Sequence, residues 1–101
     1  MPETATTAIP TPTELLEQAA TALGWAANYD RFRDRIRKHA WLYERLARIV
    51  HRGQADERFV AQAVDLLRGE SMFWCPAKAA KRLELAESYV DLASASYTIR
   101  N

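Results

Sequence analysis

The chain contains very few residues that break helices or join segments covalently. Its single cysteine, Cys75, excludes an internal disulfide, which is typical of proteins in a reducing compartment. Glycine occurs three times and proline four times in 101 residues, and every proline except Pro76 lies in the first twelve positions. So few breakers over residues 13–101 favour long helices over strands and turns, and no strand-like alternation of apolar and polar residues persists.

The N-terminus carries no recognisable targeting segment. It has neither the basic region nor the apolar region of a signal peptide, and no apolar run approaches the ~18 residues that a membrane span requires. We therefore expect a cytoplasmic protein that does not enter a membrane. Residues 1–10 are rich in threonine, alanine and proline, so we expect a disordered tail there, followed by one domain over residues 11–101.

The stretch from Trp25 to Arg52 organises the rest of the chain, because two helical stripes run along it. Steps of three and four residues give an apolar seam of Trp25, Tyr29, Phe32, Ile36, His39, Tyr43, Leu46 and Val50. At about 100° per residue, a second stripe lies roughly opposite: Arg31, Asp34, Lys38, Trp41, Arg45, Arg48 and Arg52. This pattern predicts a long central amphipathic helix.

The flanking residues set the predicted helix boundaries. Thr11, Pro12 and Glu14 can form a capping box for a first helix over 12–23, which Gly24 would close. The central helix is expected to start at 28–30, capped by Asn28 or Asp30, with Trp25 packed over that end. It is expected to end at Gly53.

Two more amphipathic helices are expected after Gly53. The third begins around Gln54–Glu57 and stops at Gly69, and the fourth opens at Pro76 with Ala79, Leu83, Ala86, Val90, Ala93 and Tyr97 inward. The sequence therefore predicts an all-α fold, a compact bundle of four helices around one long central amphipathic helix. The central helix is expected to be too long for its partners, so that one end projects or is covered by another chain.

The basic stripe is the first candidate site. Residues 30–52 carry eight bases against three acids, although the whole chain has a net charge of only +1. Such a local stripe suggests an anionic partner, with Trp41 as an anchor. The candidate partner-binding residues are Arg31, Lys38, Trp41, Arg45, Arg48 and Arg52. Alternatively, this is a solvated face with ion pairs from Asp34 to Lys38 and from Glu44 to Arg48, or the first helix or the tail covers Trp41.

The start of the fourth helix is a weaker candidate. Lys78, Lys81 and Arg82 crowd its first two turns, and together with the free backbone N–H groups they form a possible anion-binding cluster. These surroundings would lower the pKa of Cys75 and favour a reactive thiol, whereas a cysteine after an apolar run is more often a small buried residue. The preceding Met72, Phe73 and Trp74 either cap the bundle or form an exposed patch.

The histidines do not indicate a metal site or a cofactor. His39 lies on the apolar seam, where a hydrogen-bonded core residue is expected, and His51 lies near a helix C-terminus, where the dipole favours it. Neither histidine is paired with a second ligand at metal-binding spacing, so we expect no metal and no cofactor. Glycine-rich phosphate loops and catalytic triads are likewise not recognisable.

These patterns favour a non-catalytic protein that binds another macromolecule. We expect a regulator, adaptor or inhibitor of a larger assembly that binds a protein partner through the basic stripe, and a homodimer through the long helix is equally compatible. The alternative is a nucleic-acid-binding accessory protein that uses the same stripe, for which steep salt dependence is the distinguishing property. A third hypothesis is an enzyme with Cys75 as nucleophile, which alkylation of the native thiol would test.

Overall fold

Within the residues that the structure describes, the chain forms four α-helices. The computed structural model describes residues 9–28, 33–68 and 76–100, and their side chains except those of 25–28, 76 and 96–100. Its helices are α1 (Pro12–Asn28), α2 (Arg33–His51), α3 (Glu57–Leu67) and α4 (Pro76–Arg100). No strand occurs within these ranges, so the prediction of an all-α bundle is confirmed.

The first helix begins at the predicted capping box and continues beyond its predicted end. Thr11 N donates to Glu14 Oε1 at 2.8 Å and Glu14 N donates to Thr11 Oγ1 at 3.1 Å, so the box closes in both directions. The prediction that Gly24 ends the helix is wrong, because α1 runs to Asn28. The alanines at 26–27 are strong helix formers, and they carry the helix past the glycine.

The predicted start of α2 at 28–30 is tested only at Asn28, because residues 29–32 lie outside the described residues. Asn28 is the last residue of α1 and therefore does not cap α2, while Asp30 lies outside the described residues. The backbone of Trp25 belongs to α1 and not to a connection that leads into α2. The described part of α2 begins at Arg33.

The end of α2 is confirmed at Gly53. Gly53 has a φ of 68°, and its N–H donates to the Val50 carbonyl at 3.0 Å. The N–H of Gln54 donates to the Ile49 carbonyl at 2.9 Å. These two bonds form a Schellman motif, which places its glycine in a left-handed conformation that other residues adopt at a steric cost.

A buried aspartate starts α3. Asp56 is 3% exposed, and its Oδ1 accepts a hydrogen bond from the N–H of Arg58 at 3.1 Å. The Arg58 guanidinium donates to both carboxylate oxygens, from Nε at 3.2 Å and from Nη2 at 2.9 Å. The Asp56 N–H donates to the Ala93 carbonyl at 3.0 Å, which ties the α2–α3 connection to α4. The predicted stop, Gly69, lies outside the described residues, and α3 ends at Leu67.

The helices pack with α2 at the centre. α1 packs on α2 and α3 packs on α4, while α2 also contacts α4 and, less extensively, α3. Two contacts show that α3 and α4 are antiparallel. Phe59, near the start of α3, stacks on Tyr89, whereas Leu66, near the end of α3, accepts a hydrogen bond from Arg82, which comes earlier in α4. The predicted central position of α2 is therefore confirmed.

The core lies between these helices and consists mostly of leucine, valine and alanine. The buried apolar residues are Leu15, Ala19, Ala22, Ile36, Ala40, Leu42, Tyr43, Leu46, Ala47, Val60, Ala63, Val64, Leu67, Ala79, Leu83, Ala86, Val90 and Ala93. They include the predicted α4 seam except Tyr97, whose side chain lies outside the described residues. Ile9, from the predicted tail, also packs against this core, while residues 1–8 lie outside the described residues.

The longest helix in the structure is α4 and not α2. α4 has 25 residues and α2 has 19, so α4 is about 37 Å long at ~1.5 Å per residue and α2 about 28 Å. The greatest dimension of the molecule is 41 Å, which α4 nearly spans. The expectation that α2 would be too long for its partners is therefore wrong for its described part.

Candidate functional site

The two predicted stripes of α2 lie on different sides of the helix. Ile36, His39, Tyr43 and Leu46 are buried, as predicted for the apolar seam, and the buried face also includes Ala40, Leu42 and Ala47. On the other side Trp41 is 42% exposed, and Arg48 and Arg52 are exposed. Arg31, Tyr29 and Phe32 lie outside the described residues.

An open groove runs along the exposed side of α2. It has a volume of about 370 Å³ and is lined by Trp41, Arg45, Arg48, Ile49 and Arg52; we call it the Trp41 groove. Their sequence separations of four, seven, eight and eleven from Trp41 place all five on one face of the helix. At ~1.5 Å per residue the groove extends over about 16 Å of the axis. It joins one exposed indole, one aliphatic side chain and three guanidinium groups.

Arg45 is held in place from two sides within the groove. Its guanidinium carbon lies 5.1 Å from the centre of the Trp41 ring, a distance at which a cation is attracted to the ring face. Its Nη2 lies 2.8 Å from Asp91 Oδ1 on α4. The Asp91 side chain is 62% exposed, so this ion pair contributes only about 0–1 kcal/mol to stability. Its main effect is to orient Arg45 beside the indole.

A second ion pair joins the basic stripe to α4. Lys38 Nζ lies 2.9 Å from Glu87 Oε1 on α4. The ion pair of Lys38 with Asp34, which the alternative of a solvated face predicted, is therefore wrong. The predicted pairing of Arg48 with Glu44 is also wrong, since no such ion pair occurs among the described residues. For Lys38 the physical reason is that α4 runs beside the stripe and brings the Glu87 carboxylate within reach.

The unpaired positive charge is therefore concentrated at one end of the Trp41 groove. Within the described residues, neither Arg48 nor Arg52 has an ion-pair partner. Both are exposed, and they lie one helical turn apart. Trp41 lies at the other end of the groove, also exposed, so neither the first helix nor α4 covers it completely.

The predicted anion cluster at the start of α4 is divided by the structure. Arg82 is half-buried, and it donates from Nε and Nη2 to the Leu66 carbonyl at 3.3 and 3.2 Å and from Nη2 to the Asp65 carbonyl at 3.4 Å. These carbonyls belong to the last turn of α3, where the helix dipole gives them partial negative charge. Lys78 and Lys81 are exposed. Arg82 thus caps α3, a role that cannot be inferred before the helix pairing is known.

His39 lies behind the groove, on the core side of α2. It is 7% exposed, and its ring stacks on Tyr43 with centroids 5.1 Å apart. Burial lowers the pKa of His39 from 6.5 to about 4, and a hydrogen bond involving the Leu67 backbone offsets part of this shift. Burial also raises the pKa of Tyr43, so both rings remain neutral near pH 7. His39 Nε2 has no hydrogen-bond partner among the described residues, so the expectation of a hydrogen-bonded core histidine holds only in part.

The remaining predicted features contribute no described site. Cys75, Met72, Phe73 and Trp74 lie outside the described residues, so the hypotheses about a reactive thiol and an apolar patch remain predictions. Among the residues that the structure does describe, no group of three or more histidine, cysteine, aspartate or glutamate side chains is arranged to hold a metal ion. None of the described helices is both long and apolar enough to cross a membrane.

Sequence reasoning missed three residues at the candidate site: Ile49, which lines the Trp41 groove, and Glu87 and Asp91, which pair with cations of the basic stripe. The sequence contained a signal for the two carboxylates, because Glu87 and Asp91 are four residues apart and share one face of α4. Their pairing with Lys38 and Arg45 depends on α4 lying beside α2, which no local pattern indicates. No protein-family model matches the chain, and comparisons with curated proteins and with solved structures found no match.

Proposed function

We propose that this protein works by binding another protein through the Trp41 groove, without catalysing a reaction itself. The observation that carries the proposal is the 42% exposure of Trp41 on the helix that contacts all three others. Tryptophan and arginine are the residue types that dominate binding energy in protein interfaces. The indole is held by Arg45 on a rigid support, so little conformational entropy is lost when a partner packs against it.

Charge around the groove favours a protein partner over a nucleic acid. Glu87 and Asp91 lie beside the stripe and pair with two of its cations, so a continuous phosphate backbone would meet carboxylates along this face. The chain has a net charge of +1 and a pI near 7.9, whereas nucleic-acid-binding domains are commonly far more basic. A protein segment can place single charges where the groove has unpaired cations and apolar groups elsewhere.

Site-directed photocrosslinking in a lysate of the native host tests this proposal. Glu44 lies one turn from both Trp41 and Arg48 without lining the groove, so p-benzoylphenylalanine at position 44 reports what docks there. The same amino acid at Gln18, exposed on α1, is the control position. We expect protein adducts from position 44 that disappear in a Trp41→Ala background and persist in a Leu16→Ala background. Leu16 is the matched control because it is 52% exposed on α1.

Other outcomes of this experiment contradict the proposal. Adducts that persist in Trp41→Ala, or that form equally from position 18, mean that the groove does not bind the partner. Nuclease-sensitive adducts, together with binding that weakens steeply between 50 and 200 mM salt, identify a nucleic acid. Adducts of twice the mass of the chain identify a homodimer, which sedimentation of the purified protein would confirm.

A further inference from the structure

We infer that the segment bound by the Trp41 groove is an acidic peptide, with carboxylates on Arg48 and Arg52 and an apolar side chain against Trp41. This inference rests on the proposed function and specifies the chemistry of the partner. Three features of the groove support it: the positions of its unpaired cations, the carboxylate already bound to Arg45, and its apolar groups.

The unpaired cations set the spacing of the carboxylates. Arg48 and Arg52 are exposed and have no ion-pair partner within the described residues. Their Cα atoms are separated by about 6 Å along the helix axis. Alternate side chains of an extended peptide are separated by nearly the same distance, about 6.6 Å. Two acidic residues with one residue between them therefore match the two arginines.

Asp91 shows how a carboxylate binds one of the arginines that line this groove. It lies 2.8 Å from the Arg45 guanidinium, which itself lies over the Trp41 ring. Guanidinium groups prefer carboxylates because two N–H groups match two oxygens. Since the Asp91 side chain is 62% exposed, a carboxylate of the partner can displace it. Asp91 is thus an internal competitor, and removing its charge should strengthen binding.

The two apolar groups of the groove lie at different positions along it: Trp41 at the end away from the unpaired arginines, and Ile49 between Arg48 and Arg52. The Trp41 indole is 42% exposed, and Ile49, partly buried, packs against the core. The aliphatic parts of the arginine side chains extend this surface. An apolar side chain of the peptide therefore finds contacts about 10 Å from Arg48 along the axis. Because successive side chains of an extended peptide point to opposite faces, the residue four positions before the first carboxylate, about 13 Å away, is the one that reaches these contacts.

Fluorescence anisotropy with a defined probe tests the inference. The probe is a fluorescein-labelled peptide with one leucine followed, four and six positions later, by glutamates, so that all three side chains lie on one face of the extended peptide, and its control has glutamines instead. We expect the glutamate peptide to bind with a Kd below about 1 mM and at least about ten times more tightly than the glutamine peptide. Arg48→Ala and Arg52→Ala should each weaken binding about three- to tenfold.

Two further variants distinguish a built groove from general charge attraction. Arg37→Ala removes the same charge from an exposed position of α2 outside the groove, so its affinity should stay within about twofold of wild type. Asp91→Asn should tighten binding about two- to fivefold, since it removes the competitor of Arg45. Circular dichroism of each variant should match the wild type, because all four positions are on the surface.

Several results would overturn the inference. The two peptides could bind with equal affinity, or the glutamate peptide could show no binding up to about 1 mM. Arg37→Ala could also lose as much affinity for the glutamate peptide as Arg48→Ala, or Asp91→Asn could gain none. If Trp41-dependent protein adducts form from position 44 but any of these results is obtained, the groove binds a protein of different chemistry and the proposed function stands. If no such adducts form, the proposed function itself fails.

Discussion

Acidification should destabilise the fold through His39, the buried histidine behind the Trp41 groove. His39 is 7% exposed, and burial lowers its pKa from 6.5 to about 4. Because the folded pKa is lower than the unfolded one, the unfolded chain binds more protons between these two values. The stability due to the neutral ring is therefore present above about pH 6.5 and is lost as the pH falls towards 4.

The size of this effect follows from the two pKa values. An interval from 6.5 to about 4 spans about 2.5 decades of proton affinity, and each decade corresponds to about 1.4 kcal/mol. Linkage then predicts a loss of about 2 kcal/mol between pH 7 and pH 5, and about 3 kcal/mol by pH 4. Small domains have unfolding free energies of about 5–15 kcal/mol, so this loss is a large fraction of the total.

Urea denaturation between pH 7 and pH 4 measures the effect, with His39→Leu as the reference. Carboxylates also titrate in this range, but they do so in both proteins. The unfolding free energy of wild type should therefore fall relative to His39→Leu by about 2 kcal/mol at pH 5. Parallel curves for wild type and His39→Leu, or an NMR titration of the His39 ring centred near 6.5, would refute the reasoning.

Three further predictions concern the frame that supports the groove, each measured by urea denaturation at pH 7. Gly24→Ala should stabilise the protein by about 0.5–1 kcal/mol, because Gly24 lies inside a helix and a Cβ there meets nothing within 4 Å. Gly53→Ala should destabilise it by about 1 kcal/mol, because φ of Gly53 is 68°. A stability change of the same sign in both variants would contradict this reasoning. Asp56→Ala should cost about 1–2 kcal/mol or more through loss of the α3 cap, and an unchanged midpoint would show that the cap is unimportant. Leu46→Ala, at 0% exposure, should cost about 2–5 kcal/mol, against less than about 0.5 kcal/mol for the exposed Leu16→Ala, and similar costs would mean that the core is misassigned.

Local patterns predicted the fold where a helix end is determined by adjacent residues. The hydrogen bonds of the Thr11–Glu14 box and of the Gly53 cap join residues no more than five positions apart. A local sequence pattern is therefore sufficient to predict both. Gly24 shows the limit of such patterns. It looks like Gly53 as a stop signal, but helix-forming alanines follow it, and α1 continues.

The candidate site was predicted only in part, because half of its geometry is tertiary. The exposure of Trp41, Arg48 and Arg52 follows from the helical period, since the opposite face of α2 is apolar. The ion pairs of Lys38 and Arg45 with α4 do not follow from it, because they depend on which helix packs beside α2. These pairs change the interpretation of the site from an evenly basic stripe to a groove whose unpaired charge lies at one end.

The most direct test of the central claim combines two measurements on the same Trp41→Ala protein: the yield of protein adducts from position 44 and the thermal midpoint. Trp41 is 42% exposed, so we predict that its removal shifts the midpoint by no more than a few degrees while the adduct yield falls at least about tenfold, as for an interface anchor. An undiminished yield with an unchanged midpoint would contradict the account, because it would show that Trp41 does not anchor the partner.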